Sequence, residues 1–162
     1  MKKVLGFTAR LLFFALFIAG IYSYKNVYSY PTIPTTNKDS VTKKGIALTG
    51  AQEVPAISPS GSGTLDVSYD KSTKTLTYTA TYTGMTDSVT MMHFHGPAEK
   101  GKNAGVVYPI PDFNEGTAGT ASGTVKLDEI KMKEAELLGG KYYFNIHTKT
   151  HPAGEIRGQV VF

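Results

Sequence analysis

From Ile46 to the end of the chain, apolar and polar residues alternate with a period of two. The clearest run is Thr75–Tyr82, where Leu76, Tyr78, Ala80 and Tyr82 alternate with Thr75, Thr77, Thr79 and Thr81. That is the pattern of a half-buried strand with a threonine outer face. Similar runs predict strands at Ile46–Leu48, Thr64–Tyr69, Val89–His95, Gly105–Ile110, Gly119–Leu127, Lys141–His147 and Glu155–Phe162. Turn chemistry separates them, at Pro59–Gly61, Asp70–Ser72, Gly84, Gly116 and Gly139–Gly140. The short polar turn between Tyr69 and Leu76 predicts an antiparallel hairpin. One stretch departs from the period: DEIKMKEAELL, Asp128 to Leu138, places Ile130, Glu134, Leu137 and Leu138 at helical offsets before Gly139. It predicts a short helix with Asp128 as its N-cap. The chain is therefore expected to be all-β, an antiparallel Greek-key sandwich or small barrel with one short helix.

Before residue 45 the pattern changes twice. Residues 1–29 combine Lys2, Lys3 and Arg10 with an eleven-residue apolar run, Leu11–Ile21. Such a run is shorter than the roughly 20 residues of a spanning helix and reads as a signal peptide, cleaved after Ser23 or Ser29, or as an uncleaved N-terminal anchor. Residues 30–44 carry Pro31, Pro34 and several threonines without periodicity, and read as a linker. The folded domain is expected over residues 45–162, in a secreted, periplasmic or cell-surface protein. A membrane would be met only through the N-terminal segment, if that stays attached.

The net charge of +4 changes meaning with its placement. Four of the seventeen basic residues precede residue 30 and none of the thirteen acidic ones does, which leaves thirteen against thirteen in the remainder. A neutral domain lacks the clustered positive surface that phosphate binding requires, so nucleic acid is excluded as a partner. The chain has no cysteine, which excludes disulfides, thiolate metal sites and a cysteine nucleophile.

Candidate chemistry is concentrated in two stretches, MMHFHG and YYFNIHTKTHPAGEIRG, which contain all four histidines. His93 and His95 stand two apart on a strand and face the same way. Tyr143, Asn145 and His147 share one face of a second strand, and His151 follows in the adjoining turn. If the two strands are neighbours, three or four imidazoles converge. An all-nitrogen set without thiolate favours Cu(II) or Zn(II). The alternative is structural: histidines held by backbone, Tyr and Asn partners, with no cofactor. Asn145 fits either reading, as an orienter of a metal-bound histidine or as a strand-edge bond. Glu155 and Arg157 share a face and read chiefly as loop ties, since a guanidinium with five donors suits that task. Glu53, in GAQEVP, reads as a loop brace or an additional ligand. No catalytic residue is assigned: there is no Gly-x-Ser-x-Gly, Asp128–Glu129 is explained by capping, and the glycines of HGPAEKGKNAG lack dinucleotide-binding spacing.

The ordered set LTGAQEVP, MMHFHGPA and YYFNIHTKTHPAGEIRGQV resembles the chordin-type (CHRD) domain over roughly Ile46 to Phe162. The resemblance implies an extracellular β domain, with an extracellular protein or matrix component as its class of partner, and implies no reaction. A weaker likeness is to Cu/Zn superoxide dismutases, in the order of a His-x-His strand, a glycine-rich loop and a late strand histidine. The departures are a missing cysteine pair and too few histidines for a bridged two-metal site. Two expectations follow: a binding module of immunoglobulin-like or superoxide-dismutase-like fold, with or without a histidine metal site, or a copper or zinc oxidoreductase.

Overall fold

The structure is a computed structural model, and it describes residues 39–162. The readings of a signal or anchor over residues 1–29, and of a linker up to residue 38, lie outside the described residues. Eight strands form one antiparallel sheet: β1 (Ser40–Thr49), β2 (Ser62–Asp70), β3 (Thr75–Thr83), β4 (Val89–His95), β5 (Val106–Pro109), β6 (Gly119–Lys126), β7 (Tyr143–Thr148) and β8 (Ile156–Gln159). Their order across the sheet is β5-β4-β7-β8-β1-β2-β3-β6. The links from β3 to β4 and from β6 to β7 skip over neighbours, which is the Greek-key element of the topology.

The sheet curls until its edges nearly meet. The Tyr108 hydroxyl of β5 donates to the Thr124 carbonyl of β6 at 3.4 Å. A cleft of about 300 Å³ follows this seam, lined by Val107, Tyr108, Val125 and Met132 among others. Inside lies one apolar core, including Leu48, Leu65, Tyr69, Leu76, Phe94, Phe144, Ile146 and Ile156. Phe94 meets Tyr78 and Phe144 edge-on, with centroids at 5.5 and 5.0 Å. Each such side chain fully removed from water contributes about 1.5–3 kcal/mol, and that drives the curl.

The β2–β3 hairpin has the expected register, with Tyr69 opposite Leu76. Its turn is held by Asp70 Oδ1, which accepts from the backbone of Ser72 and Thr73 and from the Ser72 hydroxyl. Two boundaries differ from expectation. β1 begins at Ser40, so Ser40–Lys44 belong to a strand and not to the linker; Ser40, Val41, Thr42 and Lys43 pair with Asp70, Tyr69, Ser68 and Val67. The polar SVTKK run lacks a core-facing alternation of its own and is carried by its partner strand. The helix spans only Glu134–Leu138. Asp128 does cap backbone N–H groups, those of Ile130, Lys131 and Met132, but it caps a non-helical turn. Glu129, with φ of +58°, stops a helix from starting there.

Candidate metal centre

β7 is buried on both faces. Phe144 and Ile146 point into the core, while Tyr143, Asn145 and His147 point out of the barrel and are also buried. β4 pairs with β7 so that His93 lies opposite Asn145 and His95 opposite Tyr143. β8 flanks β7 on its other side, with Arg157 opposite Asn145 and Gln159 opposite Tyr143. Period-two alternation on three adjacent strands thus gathers His93, His95, Tyr143, Asn145, His147, Arg157 and Gln159 on one outer face.

Loops close over this face. Arg157, fully buried, donates to the Lys102 carbonyl at 2.7 Å and to Asn103 Oδ1 at 3.0 Å, with its guanidinium carbon 3.3 Å from the Tyr143 ring centre. Gln159 Nε2 donates to the Ala98 carbonyl, and Asn103 Nδ2 to the Val54 carbonyl. Glu155 ties the opposite end. Its Oε1 accepts from the backbone and hydroxyl of Thr86, and its Oε2 from the Thr148 hydroxyl at 2.6 Å. Arg157 and Glu155 therefore face loops, and neither bonds to a histidine.

Three histidines meet. Ligand atoms of His93, His95 and His147 lie within 4.8 Å of one another. His93 Nδ1 and His147 Nε2 are 3.1 Å apart. Donors bound tetrahedrally at about 2.1 Å stand roughly 3.4 Å apart, so this pair has the separation of two ligands, with a ligand atom of His95 within 4.8 Å of both. His151 is not part of the convergent set. Its backbone carbonyl closes a turn by accepting from Thr148 and Gly154, and its side chain lines a separate cleft of about 160 Å³ together with Glu53, Val54, Pro55 and Ile57.

The ring protons are placed by backbone. A carbonyl only accepts, so the ring nitrogen facing it is the one that carries hydrogen. His95 Nδ1–H donates to the Ala104 carbonyl at 2.9 Å, and His147 Nδ1–H to the Pro152 carbonyl at 3.0 Å. Both Nε2 atoms are thereby left as lone pairs, and His95 Nε2 is buried with no hydrogen-bond partner. Asn145 Oδ1, also an acceptor, is 3.0 Å from His147 Nε2. Tyr143 braces the same unit: its ring stacks on His95 at 4.9 Å, and its hydroxyl donates to the Ala104 carbonyl.

Electrostatics favour neutral imidazoles. Burial, then the proximity of His147 and His95, pushes His93 down to about 4. Burial also lowers His95 and His147, against the hydrogen bonds to Ala104 and Pro152. Neutral imidazole is the form that binds metal. Glu53 goes the other way. Burial raises its carboxyl to about 7, opposed by the Arg157 charge and by hydrogen bonding from Asn145 and the Val54 backbone. Its Oε1 is buried and has no partner.

Sequence reasoning missed the carbonyls of Ala104 and Pro152 and the His95–Tyr143–Arg157 stack. A carbonyl has no residue-type signal. The stack was visible only as Tyr143 and Arg157 lying on outward faces of their strands.

Neither a curated protein nor a solved structure matches the chain. Among the described residues no helix is long and apolar enough to cross a membrane. The family model of the CHRD domain matches residues 45–160, which takes in every strand that builds the histidine face. The chain belongs to the CHRD-domain family.

Proposed function

We propose that this protein is an extracellular β-sandwich module that holds one Cu(II) or Zn(II) ion on His93, His95 and His147. The observation that carries the reading is the orientation of the rings. Two backbone carbonyls take the Nδ1 protons of His95 and His147, so both Nε2 lone pairs turn toward the space that His93 Nδ1 also faces. Lone pairs brought together away from water call for a cation, and an orphaned buried nitrogen is costly without one. Imidazole donors without thiolate select copper or zinc over magnesium or calcium. His93, the least buried of the three, leaves a side of the site open to solvent. Secretion or cell-surface display is supported by family membership and by the leader pattern of residues 1–29. The partner class remains an extracellular protein or matrix component. The proposal is of metal binding at one mononuclear site and assigns no reaction to it.

The test is metal analysis and calorimetric titration of the full chain, purified without an affinity tag, with Cu(II) and Zn(II). One ion per chain is expected, and His95→Ala should abolish stoichiometric binding while leaving a cooperatively folded protein. Binding well below one ion per chain, or binding unaffected by His95→Ala, overturns the reading.

A further inference from the structure

We infer that Asn145 is a fourth donor of this centre, binding the ion through Oδ1, so that the donor set is three imidazole nitrogens and one carboxamide oxygen. The inference rests on the metal reading above and adds a residue to it.

The argument starts from an apparent misfit. Asn145 Oδ1 stands 3.0 Å from His147 Nε2, and His147 already gives its ring proton to the Pro152 carbonyl. Two acceptors face each other at hydrogen-bonding distance without a hydrogen of their own. The His93 Nδ1 proton can serve the His147 lone pair at 3.1 Å, but that leaves Asn145 Oδ1 facing nitrogen lone pairs. A cation among these atoms satisfies all of them at once. The spacing agrees: 3.0 and 3.1 Å are close to the roughly 3–3.5 Å between adjacent ligands of an ion bound at about 2.1 Å.

Turning the amide over would put Nδ2 against His147 and remove the misfit, so its orientation must be argued. The surroundings of Gly154 decide it. A Cβ built on that glycine would stand 2.4 Å from Glu53 Oε1 and 2.9 Å from Asn145 Nδ2, with φ at +132°. The carboxyl and the NH₂ end of the amide are thus packed into the same small space, which only glycine leaves free. With Glu53 ionised, the turned amide would bring Oδ1 against its carboxylate, an acceptor against an acceptor, whereas the orientation present lets the NH₂ end of Asn145 hydrogen-bond to it. Glu53 therefore acts as a positioning residue that keeps the carbonyl end of Asn145 toward the histidines. The pairing of β7 with both β4 and β8 fixes the Asn145 backbone, so the side chain has little other freedom.

The experiment uses the full untagged chain with Cu(II) as the probe. Affinity is read by competition with a chelator, and the donor set by electron paramagnetic resonance. Asn145→Ala should keep one-to-one binding, weaken it by about tenfold or more, and change the copper hyperfine coupling. Asn145→Asp places an anionic oxygen at the same point; it should bind at least as tightly as the unsubstituted protein and give a shifted spectrum. The Asp variant also keeps the test decisive if the Ala variant fails to fold. Affinity and spectrum unchanged in the variants that fold overturn the inference and leave the three-histidine reading standing. Failure of the unsubstituted chain to bind Cu(II) at all overturns both.

Discussion

The outer faces of β3 and β7 are built on the same period and have opposite fates. On β3, Thr77, Thr79, Thr81 and Thr83 stand in solvent while Leu76, Tyr78, Ala80 and Tyr82 fill the core. On β7 the outward residues Tyr143, Asn145 and His147 are as buried as the inward Phe144 and Ile146. Water satisfies the threonine hydroxyls, which add only a weak cross-strand contact such as Thr81 to Thr120 at 3.3 Å. Under the loops there is no such reserve, and each polar atom needs a protein partner or costs about 1–3 kcal/mol. Most have one. His95 Nε2, Gln159 Oε1 and Glu53 Oε1 do not. A strand's alternation says which side chains leave the core; whether they reach water depends on segments far away in sequence.

That contrast breaks first at Arg157. Arg157→Ala removes two loop bonds and the support of Tyr143, and should destabilise the domain by about 3 kcal/mol or more in chemical denaturation. A loss under about 1 kcal/mol would mean that the loops hold themselves. Glu155→Ala, which strands donors on Thr86 and Thr148, should cost about 2 kcal/mol by the same measurement.

Acid comes next, with an effect reduced by the solvent access of His93. In metal-free protein the site histidines titrate below their ordinary 6.5 when folded. As pH falls, the unfolded chain takes up these protons first. The contribution is therefore full above about 6.5 and is lost as pH drops toward about 4. Glu53 has the reverse sign: its folded value of about 7 exceeds 4.5, so its contribution is present below about 4.5 and lost as pH rises through 7. Glu53→Gln should accordingly raise the melting temperature of metal-free protein at pH 8 and change it little at pH 4. An equal effect at both values would remove the carboxyl from this role.

The smallest effect belongs to β3. Thr79→Ala should stay within about 0.5 kcal/mol of the unsubstituted protein. A loss as large as that of Glu155→Ala would show that the threonine face also has a covering partner.

The histidine face was legible as far as strand periodicity reaches. His93 and His95 two apart, with Asn145 and His147 two apart on another strand, fix facing directions, and β4–β7 pairing does the rest. His151 was not legible, because a turn residue's direction follows from local backbone and not from a period. The helix start at Asp128 failed for a related reason. An aspartate accepts N–H groups equally well in a turn, and the positive φ of Glu129 leaves no mark in the pattern. The first residues of β1 were hidden by polarity, since Ser40–Lys44 owe their strand to β2.

The order of the strands also sets a timetable for a chain made from its N-terminus. β1, β2 and β3 pair with one another and can associate early. β4 holds two of the site histidines, but its partner β7 comes some fifty residues later, as the 54-residue separation of His93 and His147 records. The strand that joins the two parts of the sheet, β8, is the last of all, and meets β1 at Thr49 opposite Arg157. Long-range closure of this kind is slow relative to local hairpins. While the chain grows, His93 and His95 therefore wait for the strand that completes their site, and the centre assembles only after some fifty further residues have been made.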